Sequence, residues 1–182
     1  MLARRFAQQT SFLAARQARS FAAVGDKIPS VSVDLGFPPQ KVNVAERTAG
    51  RKTIMIGLPG AYTPVCSEKM VPSYIAKQAE LKAKGVEEVL VISVNDGAVM
   101  KAWGKDQGGD GTMVTFLGDP KSELTKALDL VFDAPPILEI FGHSRCKRFA
   151  MVIEDGKIKA MNVAGGDIPD EATFAEAMLE EL

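Results

Sequence analysis

The 182-residue sequence predicts an α/β fold: a mixed central sheet flanked by helices, entered through an N-terminal β-hairpin. Three observations carry this expectation. Thr53-Ile54-Met55-Ile56-Gly57-Leu58 and Val89-Leu90-Val91-Ile92-Ser93-Val94 are nearly continuous apolar runs, as strands buried on both faces are. Residues 64–84, between them, have helical spacing, with Met70, Tyr74 and Leu81 on one side. Near the C-terminus, Phe149–Ile153 and Lys157–Met161 flank Asp155-Gly156, the composition of a tight hairpin.

The remaining elements follow in order. Val31–Val33 and Lys41–Val44 alternate in polarity around Gly36-Phe37-Pro38-Pro39 and form the N-terminal hairpin. Pro72 lies inside the 64–84 helix and predicts a bend there. Asp96 caps a helix carrying Val99, Met100 and Trp103. Gly108-Gly109-Asp110-Gly111 is a loop. It lacks the Lys-Ser/Thr and the following helix that a phosphate cradle needs. Val114–Leu117 is a short strand, Ser122–Leu130 a helix, and Asp170–Leu182 a closing amphipathic helix through Phe174 and Met178. A thioredoxin-like fold fits this order of elements, and no repeat or internal linker interrupts it.

The composition, 46% apolar and 25% charged, is that of an ordinary globular core. A net charge of −1 gives no case for nucleic acid or an acidic membrane as partner. No stretch reaches the roughly 18–20 apolar residues of a membrane span. The first 24 residues stand apart. Arg4, Arg5, Arg16 and Arg19 share one sector of a helical wheel, and no acid precedes Asp26. This pattern reads as a cleaved organelle transit peptide, residues 1–24, ahead of one domain, 25–182. Arg19-Ser20-Phe21-Ala22 looks like a matrix-protease site, which points to the mitochondrion, with the plastid as the other destination.

Function starts from Pro59-Gly60-Ala61-Tyr62-Thr63-Pro64-Val65-Cys66, where an apolar strand becomes a helix. Pro64 suits the first helical position, because its missing N–H would be unpaired there anyway. Thr63 is then the natural N-cap. Cys66 falls in the first turn, near free N–H groups and the positive end of the helix dipole. Both favour a thiolate, the reactive form, and predict a pKa below the roughly 8.5 of free cysteine. Cys146 is the only other cysteine. Two cysteines are too few for a disulfide scaffold, and with His143 as sole histidine the set is poor for zinc. His143 reads as a loop residue. A papain-like cysteine–histidine pair lacks both the signature around Cys66 and the fold order.

The pattern Pro-x-x-x-Thr-x-x-Cys, filled by Pro59, Thr63 and Cys66, resembles the active site of peroxiredoxins. A longer match resembles the type II, or peroxiredoxin-5-like, subfamily. It comprises Gly57–Pro64, Val94-Asn95-Asp96 with Met100-Lys101-Ala102-Trp103, and Lys147-Arg148-Phe149-Ala150-Met151-Val152. The likeness runs from about Gly25 to the C-terminus. It implies that Cys66 is the peroxidatic cysteine, attacking a hydroperoxide and becoming a sulfenic acid. Thr63 would hydrogen-bond sulfur and peroxide, Pro59 would shield the site, and Arg148 would hold the sulfur ionised. Ile137, Ile140 and Phe141 match positions of an apolar substrate wall, which would admit alkyl hydroperoxides beside hydrogen peroxide. The resemblance also implies a homodimer, and neither metal nor organic cofactor.

The chain departs from its relatives in how it is reduced again. Animal members carry a resolving cysteine near the C-terminal helix, but Asn162–Thr173 holds none. Many plant members carry one in the second central strand, where this chain has Val91. Cys146 lies two residues before Arg148, and would share its face if the strand extends that far, making it a possible resolving thiol. The favoured cycle uses Cys66 alone, with glutathione, a glutaredoxin or thioredoxin as reductant. The alternative function is a non-enzymatic redox sensor or chaperone that relays oxidation to a partner protein.

Overall fold

The computed structural model describes residues 22–182. The first 21 positions of the expected transit peptide lie outside the described residues. Residues 22–24, read from the sequence as its end, sit on the domain: the Ala22 N–H donates to the Leu128 carbonyl at 3.0 Å, and Ala22 packs on the core.

Alternation sets the sheet. Strands β1 (Ser32–Leu35) and β2 (Gln40–Asn43) form the N-terminal hairpin. Then come α1 (Val44–Thr48), β3 (Lys52–Gly57), a π-helical turn (Cys66–Met70), α2 (Val71–Ala76), α3 (Gln78–Ala83) and β4 (Glu88–Ser93). Next are α4 (Gly97–Asp106), β5 (Val114–Gly118) and α5 (Glu123–Ala127). Strands β6 (Val131–Phe132) and β7 (Arg145–Cys146) bracket α6 (Pro135–Phe141). The chain ends through β8 (Phe149–Glu154), β9 (Lys157–Val163), a 3-10 turn (Asp170–Thr173) and α7 (Ala175–Glu180). Seven strands make one mixed sheet in the order β2-β1-β5-β4-β3-β8-β9, while β6 and β7 pair separately. Strands β3, β4 and β5 run parallel, and β8 lies antiparallel to β3. This is the thioredoxin-like α/β fold that the element order predicts.

Both sheet faces are buried, which is why the central runs read as continuous rather than alternating. Ile54, Ile56, Val89, Val91, Ala150 and Val152 face one core, shared with Cys66, Met70, Tyr74, Trp103 and Met178. Met55, Leu90, Ile92, Phe149, Met151 and Ile153 face the other, shared with Val44, Leu124 and Cys146. The period of two thus assigns β8 residues to alternate cores.

Three expectations are modified. The 64–84 helix is broken twice. Val71 N–H reaches back five residues to the Cys66 carbonyl, giving a π-turn immediately before Pro72, whose missing N–H could not continue an α-ladder. A second break falls at Lys77, between α2 and α3. The closing helix begins as a 3-10 turn. Finally, Pro135–Phe141 forms a helix with Pro at its start, an element absent from the sequence reading. Among the described residues no helix is long and apolar enough to cross a membrane.

Candidate active site

The site forms where β3 ends and the π-turn begins. Gly57 closes β3 opposite Phe149, and a Cβ there would drive into the buried Phe149 ring. The glycine lets the ring cross the strand end. Beyond it, the Gly60–Thr63 loop is tied down from two sides. The Asn95 side-chain oxygen accepts from the Ala61 N–H at 2.9 Å and from the Ser93 hydroxyl at 2.8 Å. Tyr62 adopts a left-handed φ of 61°, and its hydroxyl donates to Asp106 on α4 at 2.7 Å. That hydrogen bond, which the neutral phenol alone can donate, raises the Tyr62 pKa. Trp103, stacked edge-on to Phe116, donates its indole N–H to Ser67 at 3.1 Å, one residue past the candidate thiol.

Cys66 is fully buried in the core facing α2, α4 and α7. Arg148 enters from the residue before β8. Its Nη1 donates to Cys66 Sγ at 3.3 Å and lies 3.3 Å from Met70 Sδ. Residues separated by 82 positions thereby meet. Arg148 precedes Phe149 and so falls on the opposite face of β8, the face of Cys66. A charge-assisted contact of this kind is stronger than a neutral one. Arg148 Nε pairs with Asp170 Oδ1 at 3.2 Å. A cavity of about 620 Å³ opens beside this pair, lined by Pro59, Phe132, Lys147, Arg148, Ile168 and Asp170, among others.

The other expected site residues are placed differently. The Thr63 hydroxyl does not cap the helix: it donates to the Gly60 carbonyl at 2.9 Å, while the Thr63 carbonyl accepts from the Ser67 N–H at 3.0 Å. Ile137, Ile140 and Phe141 lie on α6 and line no part of the cavity that holds Pro59 and Arg148. Ile140 is 71% exposed, and the Phe141 ring lies under the Arg145 guanidinium at 4.5 Å. His143 is exposed in the loop beyond α6.

Cys146 does not share the face of Arg148. The strand it belongs to is β7, paired with Val131 across a separate ladder, and the chain turns out of register before β8. Its side chain is buried in the opposite core from Cys66. Burial pushes its thiol up to about 12, partly offset by Thr125 and reinforced by the charges of Asp119 and Cys66. Met70, Asp170, Asn95 and Ser67 escaped sequence reasoning. Only Asn95 lay within a quoted motif, and Met70 carried only the spacing of a helix's apolar face.

Comparison with known proteins agrees with this geometry. The Redoxin family model matches residues 23–179. Peroxiredoxin-2E-2, chloroplastic, of Oryza sativa subsp. japonica is 40% identical over 88% of this chain and 72% of its own. Peroxiredoxin-2B of Arabidopsis thaliana is 42% identical over 79% of this chain and 88% of its own. The chain is a type II, peroxiredoxin-5-like peroxiredoxin. The crystal structure of reduced Prx3 from Vibrio vulnificus in complex with hydrogen peroxide superposes with a TM-score of 0.80. It is 36% identical, covering 87% of this peroxiredoxin and 94% of that chain. The enzyme is therefore a thiol peroxidase, an oxidoreductase. Peroxiredoxin-2E-2 and Peroxiredoxin-2E of Arabidopsis thaliana, the latter 36% identical over 100% of this chain and 81% of its own, are both named as chloroplastic proteins.

Proposed function

We propose that this peroxiredoxin reduces hydrogen peroxide and alkyl hydroperoxides through Cys66 and serves antioxidant defence and cell redox homeostasis. The observation that carries the reading is the 3.3 Å contact from Arg148 Nη1 to the fully buried Cys66 Sγ. The thiolate attacks the distal peroxide oxygen. A sulfur–oxygen bond forms, the oxygen–oxygen bond breaks, and the leaving hydroxide or alkoxide takes a proton to become water or alcohol. Sulfur is oxidised to sulfenic acid and the peroxide is reduced. Arg148 stabilises the charge that develops on the leaving oxygen. Pro59, at the cavity wall, limits water, and the Thr63 hydroxyl holds the loop while keeping lone pairs free for a peroxide proton.

Return to the thiol takes an external reductant: glutathione with a glutaredoxin, or thioredoxin. An incoming thiol attacks the sulfenic sulfur, releasing water, and a second thiol then frees Cys66. Cys146 is a poor resolving thiol because it is buried in the other core and stays protonated at neutral pH. The protein acts as a homodimer, with α6 at the interface: Ile140 and Leu138 are exposed there, 71% and 43%. The leader of residues 1–24 directs it to an organelle. Its Arg-rich, acid-free composition favours the mitochondrial matrix, and the chloroplastic relatives favour the plastid.

Stopped-flow mixing with peroxide, read by the single Trp103 beside Ser67, tests the reaction. Rapid oxidation lost in Cys66→Ser is expected, with steady-state turnover retained in Cys146→Ser. Turnover stalling with every reductant while a mixed disulfide to one protein accumulates would instead favour the sensor reading.

A further inference from the structure

Arg148 is held at three points, and only one of them is the thiol. Its side chain is just 10% exposed, whereas Asp170 is 44% exposed. Nε points to Asp170 Oδ1 at 3.2 Å, and Nη1 is shared between Cys66 Sγ and Met70 Sδ, each at 3.3 Å. A free arginine loses much rotamer entropy when fixed. A carboxylate on one edge of the guanidinium and a soft thioether on the other leave Nη1 directed at Cys66.

Asp170 itself is fixed. It opens the 3-10 turn Asp170–Thr173, which is anchored on both sides. Asn162 of β9 donates to the Ala172 carbonyl at 2.8 Å, and the buried Tyr74 of α2 donates to the Thr173 carbonyl at 2.7 Å. The Thr173 hydroxyl lies 4.0 Å from Met70 Sδ, so the turn also backs the thioether. Asp170 and Arg148 line the same cavity.

We infer that Asp170 is a positioning residue: together with Met70 it aims the Arg148 guanidinium at Cys66, so that the C-terminal turn tunes the peroxidatic thiol. The inference rests on the peroxidase reading of Cys66. Two effects of Asp170 oppose one another. Its charge partly neutralises Arg148 and so disfavours the thiolate. Its position keeps Nη1 at the sulfur. Because Asp170 is half exposed, its charge is screened by solvent, and the orienting effect wins.

The experiment measures the second-order rate of Cys66 oxidation by hydrogen peroxide, and the pH profile of Cys66 alkylation, in the full chain. The variants are wild type, Asp170→Ala, Asp170→Asn, Arg148→Ala and the double variant Arg148→Ala/Asp170→Ala. Asp170→Ala is expected to slow oxidation roughly tenfold to a hundredfold, the scale of a small misplacement of a reacting group. Its alkylation profile moves to higher pH. Asp170→Asn keeps an oxygen facing Nε and recovers most of the loss. In the Arg148→Ala background, Asp170→Ala changes nothing further, because its effect runs through the arginine. Three outcomes overturn the inference: wild-type rate and pH profile in Asp170→Ala, equal additional loss in the Arg148→Ala background, or loss without a profile shift, which marks a purely structural role. If wild type itself is not oxidised by peroxide, the peroxidase reading fails first, and that result is distinct from all three.

Discussion

Arg148 and the two cysteines show how one residue type takes opposite roles by environment. Cys66 and Cys146 are both fully buried, yet only Cys66 receives a guanidinium hydrogen. Replacing Arg148 by Ala should slow Cys66 oxidation by roughly 10²–10³-fold, as removal of a single charge-stabilising donor does elsewhere. Lysine should rescue little of it, since its ammonium lacks the planar fork that presents Nε to Asp170 and Nη1 to the thiol. Stopped-flow kinetics on the two variants checks both expectations. Cys146 makes the contrary case. With its thiol pushed up to about 12, brief iodoacetamide treatment of the native protein at neutral pH should label Cys66 and spare Cys146, read by peptide mass spectrometry. Pro59, Thr63 and Cys66 were singled out by their motif and Arg148 by the family resemblance, and the fold sets Arg148 Nη1 3.3 Å from Cys66 Sγ. Met70 and Asp170 were not singled out, because a thioether and an exposed carboxylate gain meaning only from the guanidinium that the fold brings between them.

At the scale of elements, the end of β3 and the start of β8 hold the site together. Gly57 is the point of contact, since its missing side chain makes room for the Phe149 ring next to Arg148. Gly57→Ala should destabilise the domain by about 1–3 kcal/mol, the usual cost of overpacking. It should also slow peroxide reduction by displacing Arg148. Denaturant unfolding and stopped-flow oxidation measure the two effects. The strands were readable because apolar runs and Asp155-Gly156 carry their own signals. The helix between them was readable only as a helix. Its π-turn depends on how Pro72 interrupts the hydrogen-bond ladder within a packed core. Helix α6 was missed because residues 135–141 are mostly exposed, and two prolines obscured a short pattern.

Across the described residues, two opposed cores govern stability. Cys146 and the buried Tyr74 both have raised pKa values, mainly from burial. The sign follows directly: below the ordinary thiol value of 9.0 folded and unfolded chains both keep the Cys146 proton, and its contribution is intact. As pH rises toward about 12 the unfolded chain ionises first, and stability is lost. Cys146→Ala should lose less stability than wild type between about pH 7 and pH 10, measured by urea unfolding at each pH. On α6, Ile140→Glu should move the protein toward monomer in light scattering if a second copy covers that helix.

By itself the sequence determined the α/β order, because periodicity is a local property, while the loop motif and the family resemblance singled out Cys66 and Arg148. Tertiary structure alone decided that Cys146 lies in the other core and that Asp170 and Met70 flank Arg148. It also decided that the proposed apolar wall stands apart from the Pro59–Arg148 cavity. Those outcomes depend on the register at which β7 gives way to β8 and on which residues distant in the chain pack together. No local pattern encodes either.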